Sequence, residues 1–187
     1  MNATPARVRF TYEDYLLFPA DGRRHELVQG EHIVTPSPVE KHQRLVTRLI
    51  LLLAGMAERE KLGRVYAAPF DVILSEEDVV QPDVLFVAAQ HEGRIGERGV
   101  QGAPDLVVEV TSEGSRRLDE VVKRKLYERF GVAEYWVVDP EIEVVKVYRR
   151  EGEAFQRLGE LSAESRDVLA TPLLPGLAIP LAALFGR

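Results

Sequence analysis

Two acidic residues stand where acids are uncommon. Asp83 follows Pro82 at the head of a short apolar run, Val84 to Val87, and Glu109 interrupts a second one, Leu106 to Val110. If these runs are antiparallel strands with Phe86 opposite Leu106, Asp83 falls opposite Glu109 on one face, with Cβ atoms ~5 Å apart. Carboxylates that close repel each other unless a cation lies between them. A hard, oxygen-seeking ion suits such a pair, Mg²⁺ first and Mn²⁺ in its place, with water and a substrate phosphate completing the shell. There it could acidify a bound water and offset charge on the phosphate. Lys123 lies on the helix that follows, at the edge of its apolar stripe and in line with Asp119 and Tyr127. Its ammonium could reach the pair, orient an attacking water or stabilise a pentacovalent phosphate. Phosphodiester hydrolysis is the chemistry these three residues suit.

Each residue also has a plainer reading. Glu109, inside an apolar strand, needs a partner, and an arginine would serve. Lys123 could form an exposed i, i+4 pair with Asp119, worth only ~0.2–0.5 kcal/mol. His42, at the start of a long helix, could be a hydrogen-bonded core histidine or could help hold a phosphate at the helix N-terminus. Glu26 alone is an ordinary strand residue. Arg116, Arg117, Arg124 and Lys125 form a basic run that is either a solvated face or a nucleic-acid contact. The joint pattern, not any single member, points to a site.

The elements that must position these residues can be read in order. Thr11 with Asp14 three residues on caps a short helix stopped by Pro19, and Arg24 to Val34 reads as a hairpin turning at Gln29-Gly30. Ser37-Pro38-Val39-Glu40 has the form of a capping box. The helix it opens carries Leu45, Val46, Leu49, Ile50, Leu53, Met56 and Ala57 on one stripe, with His42 in its first turn. Arg64 to Leu74 turns β-like, and Ser75 to Asp78 is an acidic turn into Val79-Val80. Residues 88 to 104, with four glycines and no sustained period, read as a surface loop long enough to be functional. Arg116 to Phe130 is a helix with Leu118, Val121, Val122, Leu126 and Phe130 on its stripe, ended by Gly131. Glu134 to Val138 is a buried strand, Val144 to Arg149 and Ala154 to Leu158 form a hairpin, and the tail ends in a short helix. Strands flanking the second helix need a crossover and should be parallel, while the first three form an antiparallel meander. The expected class is α/β: helix, three-strand meander, helix, strand in a mixed sheet, with an added N-terminal helix and hairpin and a C-terminal hairpin.

Composition limits the alternatives. The chain has 187 residues, 45% of them hydrophobic, with seven Phe, six Tyr and one Trp, enough for one sizeable core. The absence of cysteine excludes disulfides, zinc-thiolate sites and thiol catalysis. With 24 basic and 30 acidic residues the net charge is −6, against a non-specific coating of nucleic acid. The segment from Arg116 to Arg129 nevertheless carries six basic residues against three acidic ones, a local anion-binding face. No run approaches the ~20 apolar residues of a membrane span. Arg7 and Arg9, with no apolar run after them, do not form a signal peptide, so a cytoplasmic protein is expected.

In combination, several stretches resemble a known family. His25-Glu26-Leu27-Val28-Gln29-Gly30, Pro36 to Gln43, Val80-Gln81-Pro82-Asp83, Gly102 to Val110, Lys123 to Tyr127, Gly131 to Pro140 and Leu173 to Leu177 are similar to the bacterial Uma-two family of restriction-endonuclease-like proteins. The order helix, three strands, helix, strand, with Pro82-Asp83 and then Glu109 in the third strand, resembles the core of the PD-(D/E)XK nuclease superfamily. The resemblance runs over about residues 10 to 185. It implies a Mg²⁺-dependent nuclease site in which Asp83 and Glu109 hold the metal, with Glu26 and His42 at further polar positions of the pattern. Thr111 stands where the superfamily usually has a lysine, and Lys123 matches the lysine that takes its place. The implied layout is a single nuclease-like domain over 1–187, with a core at about 37–139, an N-terminal extension at 1–36 and a C-terminal hairpin and tail at 140–187.

The leading expectation is therefore a Mg²⁺-dependent endonuclease acting on DNA, away from membranes, assembled as a homodimer or higher homo-oligomer so that two sites address two strands. A catalytically weak or inactive nuclease fold that binds nucleic acid or a protein partner is the alternative, favoured by a metal affinity near zero with Asp83 tied to an arginine instead. A structural oligomer-forming module is a third.

Overall fold

The computed structural model describes residues 8–35 and 37–186. The reading of the N-terminus that involved Arg7, and Pro36 within the family resemblance, lie outside the described residues.

The N-terminal elements follow local chemistry closely. Helix α1, Tyr12–Tyr15, has the reciprocal cap expected of Thr11 and Asp14, with the Thr11 N–H donating to Asp14 Oδ2 at 2.8 Å. Strands β1, Arg24–Val28, and β2, Glu31–Thr35, turn through Gln29 and Gly30, both at positive φ (54° and 73°), as a two-residue hairpin requires. Helix α2, Glu40–Arg59, buries Leu45, Val46, Leu49, Leu53 and Ala57, with Ile50 and Met56 partly covered. Its expected Ser37 cap does not form. Val39 stays extended at the N-cap with no side-chain bond, and Glu40 turns to Arg44 at 3.2 Å. The Ser37-Pro38-Val39 segment instead forms a wall of the cleft described below.

Strands β3, Gly63–Ala67, and β4, Asp71–Ser75, were expected as one β-like run. Pro69 has no N–H to continue a ladder, and the chain there leaves one sheet for another. Strand β5 is Asp78–Val80 and β6 is Val84–Ala88. The expected loop at 88–104 is instead organised, with a 3₁₀ helix at Ala89–Arg94 and strand β7 at Gly99–Gln101 running parallel to β4. Arg94 ties it down by donating to the Ala103 carbonyl at 2.6 Å, and Gly99 is required because a Cβ there would lie 2.4 Å from the Asp71 carbonyl oxygen.

Strand β8, Leu106–Val110, leads into a helical segment with a π-helical stretch at Leu118–Lys123 that continues as α3, Arg124–Phe130, and ends at Gly131 with φ 86°. Strands β9, Glu134–Asp139, β10, Val144–Glu151, and β11, Ala154–Ser162, follow. The chain closes with β12, Val168–Leu169, β13, Ile179–Pro180, and α4, Leu181–Phe185.

Six strands form the main sheet in the order β11-β10-β9-β8-β6-β3, with β8 and β9 parallel and the other neighbours antiparallel. This is the expected mixed sheet: β3, β6 and β8 are the meander, β9 follows the helix, and the C-terminal hairpin extends the sheet beyond it. A second sheet, β2-β1-β5-β4-β7, was not expected. The N-terminal hairpin enters it through the pairing of Leu27 with Val79.

The main sheet is covered on both sides, so its strands read as continuous apolar runs. Val84, Phe86, Leu106, Val108, Trp136 and Val138 face α2 and α4. Leu85, Val87, Val107, Tyr135 and Val137 face Leu126 and Tyr127 of α3 and the second sheet's Val28, Val72, Val80 and Val100. By strand parity, Asp83 shares the face of Leu85, Glu109 that of Val107 and Glu26 that of Val28. All three acids therefore point into the layer between the two sheets. Among the described residues, no helix is long and apolar enough to cross a membrane.

Candidate active site

The pairing of β6 with β8 has the register inferred from sequence, with Val84 opposite Val108, Leu85 opposite Val107 and Phe86 opposite Leu106. One step further places Asp83 across from Glu109, and the Asp83 N–H points at Glu109 Oε2 at 3.4 Å. Both carboxylates are buried.

Each carboxylate commits one oxygen to fixed partners. Asp83 Oδ2 accepts from the Val110 N–H at 2.8 Å and lies 3.1 Å from His42 Nε2, while Oδ1 accepts from Arg24 at 2.8 Å. Burial alone would raise the Asp83 pKa, but His42, the Arg24 guanidinium and the Val110 N–H together hold it below the ordinary value. Glu109 Oε1 accepts from Lys123 Nζ and from the Tyr127 hydroxyl, both at 2.9 Å. Oε2 has only the longer contact with the Asp83 N–H.

Lys123 is wholly buried, which excludes the exposed pair with Asp119 considered above. Its ammonium donates to Glu26 Oε1 at 2.8 Å and to Glu109 Oε1, with Asp119 Oδ1 at 4.0 Å. The π-helical stretch brings it there. In that stretch the Arg124 N–H bonds the Asp119 carbonyl five residues back, which also accepts from the Tyr135 hydroxyl at 3.0 Å. The widened turn exposes Val121 (44%) from the expected stripe and buries Asp119 and Lys123 instead. Such one-turn widenings often occur at functional sites.

One ammonium serves three buried acids. Burial would lower the Lys123 pKa, but Glu109, Glu26 and Asp119 raise it, so the lysine stays charged. Glu109 moves against the direction a simple ion pair would give. Burial pushes its pKa up to about 8; Lys123 opposes this, and Asp119, Asp83 and Glu26 add to it. Burial likewise pushes Asp119 up to about 6. Glu109 thus has a folded value above its ordinary 4.5, so between those limits the native chain holds a proton that the unfolded chain has released, and stability falls as pH rises across the window. Thermal melts in a chelator should show a Tm lower at about pH 8.5 than at about pH 6, on the scale of ~2–4 °C per kcal/mol for a chain of this size. A Tm that rises across that range would contradict the assignment.

The remaining candidates are spread more widely. Glu26 does not reach the cleft. Its Oε1 also accepts from the Gln81 N–H at 2.8 Å and its buried Oε2 has no partner among the described residues, so it anchors Lys123 from behind. His42 lines the cleft, its Nδ1 without a partner among the described residues. Of the four basic candidates only Arg116 lines the cleft, lying 2.8 Å from Asp139. Arg117 and Lys125 are exposed, and Arg124 turns away to bond the Glu120 carbonyl and lie over the Tyr148 ring.

Sequence reasoning assigned no role to Arg24, and placed Asp119 and Tyr127 in line with Lys123 without giving them one. Arg24 stands two residues before Glu26 on one strand, hence on its face. Asp119, Lys123 and Tyr127 recur every fourth residue, a polar line that the apolar stripe obscured.

Beside these groups opens a cleft of about 680 Å³, whose lining includes Arg24, His42, Asp83, Glu109, Asp119 and Lys123. Four buried acids, Glu26, Asp83, Glu109 and Asp119, face two cations, Arg24 and Lys123; the four cannot all be ionised cheaply there, and the raised Glu109 value is the sign of it, so a divalent cation would let Glu109 release its proton. Asp83 Oδ1 and Glu109 Oε2 retain acceptor capacity next to the cleft. That donor set fits a divalent, oxygen-seeking cation. Among the described residues no three His, Asp or Glu side chains form a ready-made cage. Two carboxylates with water and substrate completing the shell is the mode of Mg²⁺.

Comparison with known proteins agrees with this architecture. Residues 12–182 match the Uma2 family, described as "putative restriction endonuclease". The chain belongs to the Uma2 family. Among solved structures it resembles a "putative nuclease belonging to DUF820" from Anabaena variabilis ATCC 29413, at a TM-score of 0.80 and 18% identity over 94% of this chain and 97% of that one. At that identity the likeness shows the fold. No curated protein matches the Uma2 chain.

Proposed function

We propose that this Uma2 protein is a divalent-metal-dependent endonuclease that hydrolyses phosphodiester bonds in DNA, the chain acting as one nuclease-like unit. The observation that carries the reading is the Asp83–Glu109 pair, set in register across β6 and β8 and lining a cleft, with more acids than cations around it. Asp83 and Glu109 would hold Mg²⁺, or Mn²⁺ in its place, which supplies Lewis acidity toward the phosphate and a more acidic water.

The chain's own residues prepare that site. His42 and the Val110 N–H hold Asp83 Oδ2, so Oδ1 would be the oxygen offered to the ion. Tyr127 and Lys123 fix Glu109, and Glu26 holds the Lys123 ammonium against it. A positive charge held in a water-poor setting is preorganised for the charge that builds on a phosphate oxygen. Arg116, which lines the cleft beside Asp139, would meet a backbone phosphate. A homodimer would present two such sites to two strands.

Arg24 on Asp83 favours a second reading, a nuclease fold that binds nucleic acid without cutting it. Incubation of the chain with supercoiled, linear, branched and single-stranded DNA, with Mg²⁺, Mn²⁺ or EDTA, separates the two. Cleavage of at least one DNA form that requires the ion supports the first; ion-independent binding with no cleavage of any form supports the second.

A further inference from the structure

Arg24 lies on the cleft side of β1 and holds the oxygen of Asp83 that a cation would need. Its grip is a single point. Nη1 donates both to Asp83 Oδ1 at 2.8 Å and to the Gln81 carbonyl at 3.2 Å, while Nε and Nη2 make no hydrogen bond among the described residues. The side chain is 20% exposed and lines the cleft. A guanidinium has five donors in a rigid planar fork suited to two oxygens of a phosphate, and most of them here are unused.

The partners of Asp83 divide into two kinds. The Val110 N–H is main chain and His42 comes from the first turn of a long helix, and both hold Oδ2. Arg24, on a flexible stem, is the hydrogen-bond donor on Oδ1 among the described residues. It thus takes up the charge and the lone pair that an ion would use.

Resting on the metal-site reading above, we propose that Arg24 is a placeholder for the cation and a phosphate ligand once the cation is bound. It satisfies Asp83 in the empty site, yields Oδ1 when a divalent ion enters, and turns its fork to the phosphate that the ion also faces. One side chain thereby keeps the empty site from collapsing or drawing in the wrong cation, and makes substrate binding conditional on the metal.

The test is calorimetric titration of Mn²⁺ into the wild type, Arg24→Gln and Arg24→Lys, followed by titration of inorganic phosphate into each Mn²⁺-loaded protein, with melting curves beside them. Arg24→Gln should bind Mn²⁺ roughly tenfold more tightly, since ~1.4 kcal/mol of competition is removed, and bind phosphate several-fold more weakly. Arg24→Lys, which keeps the charge without the fork, should retain near wild-type Mn²⁺ affinity with weakened phosphate binding. Arg24→Gln should melt lower than wild type in EDTA and recover when Mn²⁺ is added; a loss that is equal with and without Mn²⁺ would mark a merely structural residue and overturn the proposal. It would also be overturned if the wild type binds Mn²⁺ and folded Arg24→Gln binds it no more tightly, or if phosphate affinity is unchanged; the metal site would then stand without the placeholder. If neither the wild type nor Arg24→Gln binds Mn²⁺, the metal site and the placeholder both fall.

Discussion

Replacing Glu109 by Gln, or Asp83 by Asn, should lower DNA cleavage by ~10³-fold or more, since each removes a charged ligand from a two-carboxylate site where the ion supplies the main stabilisation of developing charge. The two variants should differ in how well they fold. Glu109→Gln keeps an acceptor oxygen for Lys123 and Tyr127 and leaves no charge to bury at that position, so this variant should retain stability close to wild type. Asp83 receives donors on both oxygens, from Arg24 on one and from the Val110 N–H on the other. An amide there must turn its NH₂ toward one of those donors, so Asp83→Asn should lose ~1–3 kcal/mol. Cleavage assays beside denaturant melts read both effects. Full activity in folded Glu109→Gln would remove the carboxylate pair from the mechanism.

The second large effect concerns the buried lysine. Lys123→Met should cost ~3–5 kcal/mol, because it leaves Glu26 and Glu109 buried without the cation they share. An exposed helix pair of the same spacing would have cost only ~0.2–0.5 kcal/mol. Adding Glu26→Gln to Lys123→Met should return a large part of the loss, since it removes one of the stranded charges, yet activity should stay low because the ammonium at the cleft is still missing. Equilibrium unfolding of the two single variants and the double variant measures the coupling. Additive losses would mean that Glu26 does not act through Lys123.

Much of this arrangement was legible because it follows short-range rules. The register of β6 on β8 followed from two apolar runs with one acid each, and a strand's period of two left little freedom in which face the acids share. The hairpin at Gln29-Gly30, the stripe of α2 and the stop at Gly131 are local in the same way. The second sheet was not legible, because its strands come from distant parts of the chain, the N-terminal hairpin entering through a single pairing, Leu27 with Val79, and because β3 and β4 look alike in composition although they enter different sheets. The segment at 88–104 looked like a loop because Gly99 is there for close backbone approach, which leaves no side-chain pattern to read. Lys123 was placed at the edge of its stripe because a regular helical period was assumed. The π-helical stretch shifts the phase in mid-helix, which exposes Val121 and seats the lysine among three carboxylates. Arg24 was overlooked because its role depends on Asp83, 59 residues away.

Titration of Mn²⁺ into the metal-free wild type, with and without a DNA oligonucleotide, measures whether Asp83 and Glu109 form a divalent-cation site. One ion per chain is expected, with binding lost in both Asp83→Asn and Glu109→Gln. A folded wild type that takes up no divalent ion even with DNA present, or uptake that survives in both variants, would contradict it.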